Sequence, residues 1–185
     1  MALVGQTITH PQTGEQVTFR RITDEALELD FVVAPGGAPA ARHIHPRQVE
    51  RFDVHSGVLR ITVGKDESTV GPGGTVTVPP GAPHIWHAAD GQELRMTLTF
   101  EPALSAASFF EQFFALANAG RTKPDGGLRL LDAAVVLDDN RDFLYLAKPP
   151  VAVQKAVFRV LAPVGRRLRR GRMPGGAAVG AGARA

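Results

Sequence analysis

Residues 43–88 read HIHPRQVERFDVHSGVLRITVGKDESTVGPGGTVTVPPGAPHIWHA, and the reading of the whole chain starts from them. His43 and His45 stand two apart, so in an extended strand both imidazoles point to one face and reach a common ion. Pro46 invites a turn after them, and Glu50 on the next strand brings a carboxylate back to that face as a hard oxygen ligand. His84 closes the set from a third strand. The expected site is one divalent metal held by His43, His45, Glu50 and His84, a set no other segment supplies. On the same alternation Phe52 and Val54 follow Glu50 inward, while Arg51, Asp53 and His55 take the outer face. Trp86 and Ala88 share the face of His84, and His87 points away. His55 and His87 are therefore read as structural.

The spacing around these residues resembles the two motifs of the cupin superfamily. Gly37, five residues, His43-x-His45, four residues, Glu50, six residues and Gly57 look like the first motif at every interval. Gly73, five residues, Pro79-x-Gly81, two residues and His84 look like the second. The last position of that motif, an Asn in the family, is Ala88 here. The family's Asn is not a metal ligand, so this departure touches a supporting hydrogen bond and not the ion. The resemblance implies a mainly β, double-stranded β-helix (jelly roll) over residues 1–102, a metal-binding monocupin.

The flanking sequence fits that fold. Gln6 to His10 and Gln16 to Ile22 read as a hairpin around Pro11-Gln12-Thr13-Gly14. Leu27, Leu29, Phe31 and Val33 alternate with Glu28, Asp30 and Val32, the pattern of a half-buried strand, and Pro35-Gly36-Gly37-Ala38-Pro39 breaks the chain before the first motif. Leu59, Ile61 and Val63 make another apolar face, with a hairpin tip expected at Gly64-Lys65-Asp66-Glu67. Glu93 to Glu101 closes the sheets with Leu94, Met96, Leu98 and Phe100 on one side. At least eight strands in this order predict a double-sheet antiparallel jelly roll. Phe52, Val54, Trp86 and Met96 are the expected substrate-binding wall.

After Pro102 the period changes to helical. Ser108-Phe109-Phe110-Glu111 is a capping-box pattern, and Phe109, Phe110, Phe113, Phe114 and Ala117 run at helical spacing to Asn118-Ala119-Gly120. Four Phe residues need a large apolar surface, so residues 103–148 are expected as a helical extension packed on the barrel. Gly127 to Leu137 reads as its second helix, and Asp138-Asp139-Asn140 as a solvated turn. Residues 149–172 read as a basic amphipathic helix whose apolar positions are Val153, Val157, Val160, Leu161, Val164 and Leu168, kinked at Pro163. Residues 173–185, rich in Gly and Ala, have little to bury and are expected to be disordered.

The net charge of +3 conceals a division. Val151 to Ala185 holds eight basic residues and no acidic one, whereas the preceding 150 residues hold 13 basic and 18 acidic groups. The basic helix is a candidate for peripheral contact with an anionic membrane, against the competing reading of a helix docked on the barrel. With no helix-turn-helix pattern and no aromatic interleaving, specific nucleic-acid binding is not expected. The absence of Cys excludes disulfides, iron–sulfur clusters and a thiol nucleophile. No signal-peptide pattern opens the sequence, so a cytoplasmic location is expected.

Three imidazoles and one carboxylate suit iron(II), manganese(II), cobalt, nickel or zinc, and in octahedral geometry they leave two adjacent positions open. The function expected is that of a metal-dependent enzyme on a small organic molecule, most of all an oxygenase of the dioxygenase kind. Proton transfer would fall to Glu50 or to metal-bound water. The alternatives are a non-redox isomerase or lyase and a non-catalytic small-molecule-binding cupin. A homodimer through the weakly amphipathic N-terminal strands is expected.

Overall fold

Alternation of large apolar and polar residues builds two facing sheets, and the inward set of each is the core. The computed structural model describes residues 1–34, 41–89 and 91–170. Gly37 and the surrounding Pro/Gly break, like the expected disordered tail, lie outside the described residues. The strands are β1 (Thr7–Thr9), β2 (Gln16–Ile22), β3 (Leu27–Val33), β4 (His43–Ile44), β5 (Val49–Ser56), β6 (Leu59–Val63), β7 (Asp66–Val70), β8 (Thr75–Val78), β9 (His84–Ala88) and β10 (Leu94–Glu101). Then come α1 (Ala106–Asn118), α2 (Leu130–Asp139), β11 (Tyr145–Leu146) and α3 (Val151–Arg170). One sheet has the order β1-β2-β3-β10-β5-β8 and the other β11-β4-β9-β6-β7. Every pairing is antiparallel, which makes the fold a mainly β jelly roll.

In β3 the alternation is complete, with Leu27, Leu29, Phe31 and Val33 buried. The β3–β10 register sets Phe31 opposite Met96 and Leu29 opposite Leu98, and the β10–β5 register sets Leu98 opposite Phe52. Leu59 and Ile61 of β6 and Trp86 of β9 meet them from the second sheet. Gly57 makes the turn from β5 to β6 possible: its φ is 75°, and a Cβ there would stand 2.2 Å from the carbonyl oxygen of Glu93.

The helices cover one end of this sandwich. Phe110 and Phe114 of α1 are buried, and Phe110 lies 5.6 Å from Phe31 and 6.0 Å from Phe100 between ring centroids. Several local details differ from the sequence reading. Helix α1 starts at Ala106, and Ser108 accepts a hydrogen bond from Gln112 instead of capping it. The hairpin tip is only Gly64-Lys65, since Asp66 and Glu67 already pair with Val63 and Thr62. Helix α2 begins at Leu130 and runs through Asp138 and Asp139, which bind Arg166 rather than forming a solvated turn, and Asn140 is buried.

Helix α3 docks on α2, but of the expected apolar positions only Leu161 packs against the core. Gln154, Phe158 and Ala162 are buried, while Val153, Val157, Val160, Val164 and Leu168 are exposed. Gly165 explains the choice of face: a Cβ there would meet Val135 at 2.7 Å and the Leu131 carbonyl oxygen at 2.8 Å, so its absence lets the two helix axes approach. Asp132 of α2, itself buried, then receives Arg169 at 3.0 Å and Arg121 at 2.8 Å.

Candidate metal centre

The two sheets contribute unequally to one buried cluster. His43 lies on β4 directly opposite His84 of β9, so antiparallel pairing alone sets two imidazoles side by side with ring centroids 4.2 Å apart. His45 follows two residues later on the same face. Glu50 enters from the opposite sheet, where β5 places it across from Phe100 and Val78. One ligand atom from each of the four residues can be chosen so that all lie within 4.8 Å of one another, and all four side chains are buried.

Hydrogen bonds fix which atoms face inward. His43 Nδ1 lies 2.6 Å from the Ala41 carbonyl oxygen, His45 Nδ1 2.7 Å from that of Phe143, and His84 Nδ1 3.0 Å from that of Ala82. A carbonyl only accepts, so each Nδ1 carries the proton and donates it. In the neutral ring each Nε2 is then a bare lone pair. His43 Nε2 and His45 Nε2 face each other at 3.2 Å, and His84 Nε2 lies 2.7 Å from Glu50 Oε2. Despite that short distance neither His84 Nε2 nor Glu50 Oε2 makes an aligned hydrogen bond to any protein group. With the rings neutral, four electron-pair donors thus converge with no Lys or Arg among them. Such an arrangement is unfavourable empty and fits a divalent transition metal bound by three nitrogens and one oxygen.

The electrostatics favour the donor form at His43 and Glu50, while Glu50 draws His84 toward a proton that an entering metal would displace. Burial pushes the His43 imidazolium down, and the neighbouring His84 and His45 add to this against the pull of Glu50, leaving its pKa at about 3. Burial alone would raise Glu50, but His45 and His84 outweigh it and hold the carboxyl well below the usual range. Burial likewise opposes charge on His84, where the carboxylate of Glu50 prevails and raises the pKa. The site therefore keeps an anionic oxygen and a lone pair on His43 at neutral pH.

Phe52, Val54, Trp86 and Met96 all lie between the sheets and are at most 5% exposed. Trp86 meets Phe31 and Phe52 edge-on at 5.8 and 5.9 Å. His55 is on the outer face, 2.7 Å from Thr97 Oγ1, and His87 is half-buried on the other side of β9 from His84. Two contributors carried no signal in the sequence. Phe143, 98 residues after His45, orients that ring through its carbonyl and stacks on it at 4.6 Å. Gln48, buried between the two sheets' ligands in sequence, donates to the carbonyls of Pro102 and Ala103 and ties the β4–β5 connection to the end of β10. A backbone carbonyl has no residue-type signature, and Gln48 gains its meaning only from the chain that passes over it.

Comparison with known proteins bears on the fold segment alone. No curated protein sequence matches the chain. Among solved structures it is similar to an RmlC-like cupin from Shewanella frigidimarina, at 20% identity and a TM-score of 0.49 over 58% of this chain and 94% of that one. It is also similar to KdgF from a Halomonas species (18% identity, TM-score 0.47, 51% of this chain and 84% of that one). A third likeness is to the Cnp3 cupin domain of Schizosaccharomyces pombe (14% identity, TM-score 0.44, 48% and 64%). The family model described as "Cupin domain" matches residues 29–100, the segment that carries all four converging donors.

Proposed function

We propose that the protein is a metal-dependent enzyme acting on a small organic molecule between its two sheets, and specifically an oxygenase. One observation carries the metal: three Nδ1 atoms committed to carbonyls leave three Nε2 atoms, each a lone pair in the neutral ring, converging on each other and on Glu50. His43, His45, Glu50 and His84 would hold the ion. When bound, iron or manganese supplies both Lewis acidity and a route for electrons to dioxygen.

The chain's own residues do the rest. The three carbonyl bonds lock ring orientation, so the donors need little reorganisation when the ion enters. Phe52, Val54, Trp86 and Met96, buried between the sheets, would form the water-excluding apolar wall against which a partly apolar or aromatic ligand packs. Among the described residues the cluster holds no His, Cys, Asp or Glu beyond its own ligands, so the protein's own proton carrier would be Glu50 at Oε1 or Oε2, with metal-bound water as the alternative. That scarcity favours oxygenase chemistry over an isomerisation, which needs a dedicated base. A homodimer built on the open edge of β1 belongs to the same reading, and a monomer mass in light scattering would remove it.

The test is oxygen uptake by iron-loaded and manganese-loaded protein offered phenolic, keto-acid and sugar compounds. Uptake with product, lost in Glu50→Gln, is the expected result. Product without oxygen uptake assigns an isomerase or lyase, and saturable binding without product assigns a binding module.

A further inference from the structure

We infer that α3 seats the protein on the surface of an anionic bilayer through an apolar stripe that the fold leaves uncovered. Val153, Val157, Val160, Val164 and Leu168 recur at intervals of four, three, four and four, which places them on one face of the helix. They are 38 to 67% exposed. At 1.5 Å per residue the stripe runs for about 22 Å.

Helix α3 cannot roll to hide this stripe, because its other face is committed. Gln154 donates to the carbonyls of Leu146 and Pro149 at 2.7 and 2.6 Å and accepts from the Leu146 amide. Ala162 and Gly165 sit against α2, Arg166 reaches Asp138 and Asp139, and Arg169 reaches Asp132. The stripe faces outward by construction.

Charge selects the occupant. Lys155, Arg159 and Arg167 are exposed on the remaining helix surface, and no acidic residue follows Asp142 in the chain. Among the described residues Arg159 and Arg167 have no ion-pair partner, whereas Arg166 and Arg169 are spent on α2. A second copy meeting this face through its own α3 would bring like charges together. Nucleic acid would satisfy the arginines and leave the valines in water. Anionic headgroups over an acyl interior satisfy both at once. The helix lies on such a surface and does not span it, since no helix among the described residues is long and apolar enough to cross a membrane.

The experiment is co-sedimentation of the full chain with vesicles of phosphatidylcholine alone or mixed with phosphatidylglycerol, at low and high salt. Binding to the mixed vesicles only, weakened by salt, is expected. Val160→Gln and Leu168→Gln keep the charge and should each weaken it about tenfold, the worth of one buried aliphatic side chain. Arg159→Gln with Arg167→Gln should instead flatten the salt dependence. No binding to mixed vesicles at low salt overturns the inference, as does binding that the two apolar substitutions leave unchanged. A vesicle-free dimer that those substitutions dissociate also overturns it, since a second copy would then cover the stripe. Both substituted positions are exposed, so an unchanged melting temperature certifies the fold, and none of these readouts depends on the metal.

Discussion

Adding a divalent metal to metal-stripped protein should raise its melting temperature, and His84→Ala should nearly abolish the rise. The donors come from β4, the residue that follows it, β5 and β9 and converge only when two sheets face each other, so the unfolded chain offers no comparable site. A ligand that binds only the folded state at a hundredfold excess over its Kd stabilises by about 2.7 kcal/mol. For a chain of this length that corresponds to a rise of about 5–11 °C. Removing His84 deletes one of four donors; a loss of about a hundredfold in affinity, the upper end for a ligand's supporting partner, brings the same metal concentration down to about Kd. The remaining stabilisation is then about 0.4 kcal/mol, a shift of about 1–2 °C. His84 is fully buried, so the variant starts from a lower baseline and the comparison is made between shifts. His87→Ala, on the opposite side of the same strand, should keep the full shift. Fluorimetric melts with iron(II), manganese(II), cobalt(II), nickel(II) and zinc(II) read all three proteins. Equal shifts in the parent and His84→Ala, or no shift with any ion, would refute the reasoning.

Metal-stripped protein should lose stability on acidification. His43, near 6.5 unfolded and about 3 folded, binds its proton in the unfolded chain first, so its contribution falls as pH drops from 6.5 towards 3, and the depressed Glu50 adds to the loss below 4.5; urea midpoints of Glu15→Gln, which lacks the opposing carboxyl, measure it, and a flat profile in that variant would contradict the burial of both groups. Glu15 behaves oppositely: burial pushes its carboxyl up to about 7, so its contribution is intact below 4.5 and is lost as pH rises through 7. Since Glu15 is half-buried and partly solvated, Glu15→Gln should stabilise by on the order of 1 kcal/mol at pH 8 and by nothing measurable at pH 5. Gly57→Ala combines a positive φ with a Cβ aimed at the Glu93 carbonyl, and a loss of about 3 kcal/mol or more in chemical denaturation is expected; a loss under about 1 kcal/mol would show that the turn relaxes freely.

The barrel was legible because its strands are half-buried, and alternation of the kind seen in Leu27–Val33 survives any detail of packing. The four converging donors were legible because each motif interval fixes a strand face and a turn. What sequence could not show was decided by partners remote in the chain. The valine stripe of α3 reads as the docking face by hydrophobicity, yet the helix docks through Gln154, Ala162 and Gly165, where small size and amide hydrogen bonding meet α2 and β11. Periodicity ranks surfaces by apolarity, and this contact was won by closeness of approach. The aspartates at the end of α2 looked solvated because nothing local revealed Arg166.

The carbonyl anchors of the three imidazoles differ in origin. Ala41 and Ala82 each precede their histidine by two residues, so those rings are held by their own strands. His45 is held by Phe143, which the ribosome delivers 98 residues later. A nascent chain that has emerged only through Glu101 already owns every donor but has one ring still free to turn, and its site is a rough draft. Only when β11 zips onto β4 does the last imidazole acquire its fixed tautomer. The helical extension is in this sense the final step in maturing a centre to which it contributes no ligand, and it makes emergence of the chain through β11 the checkpoint for the site.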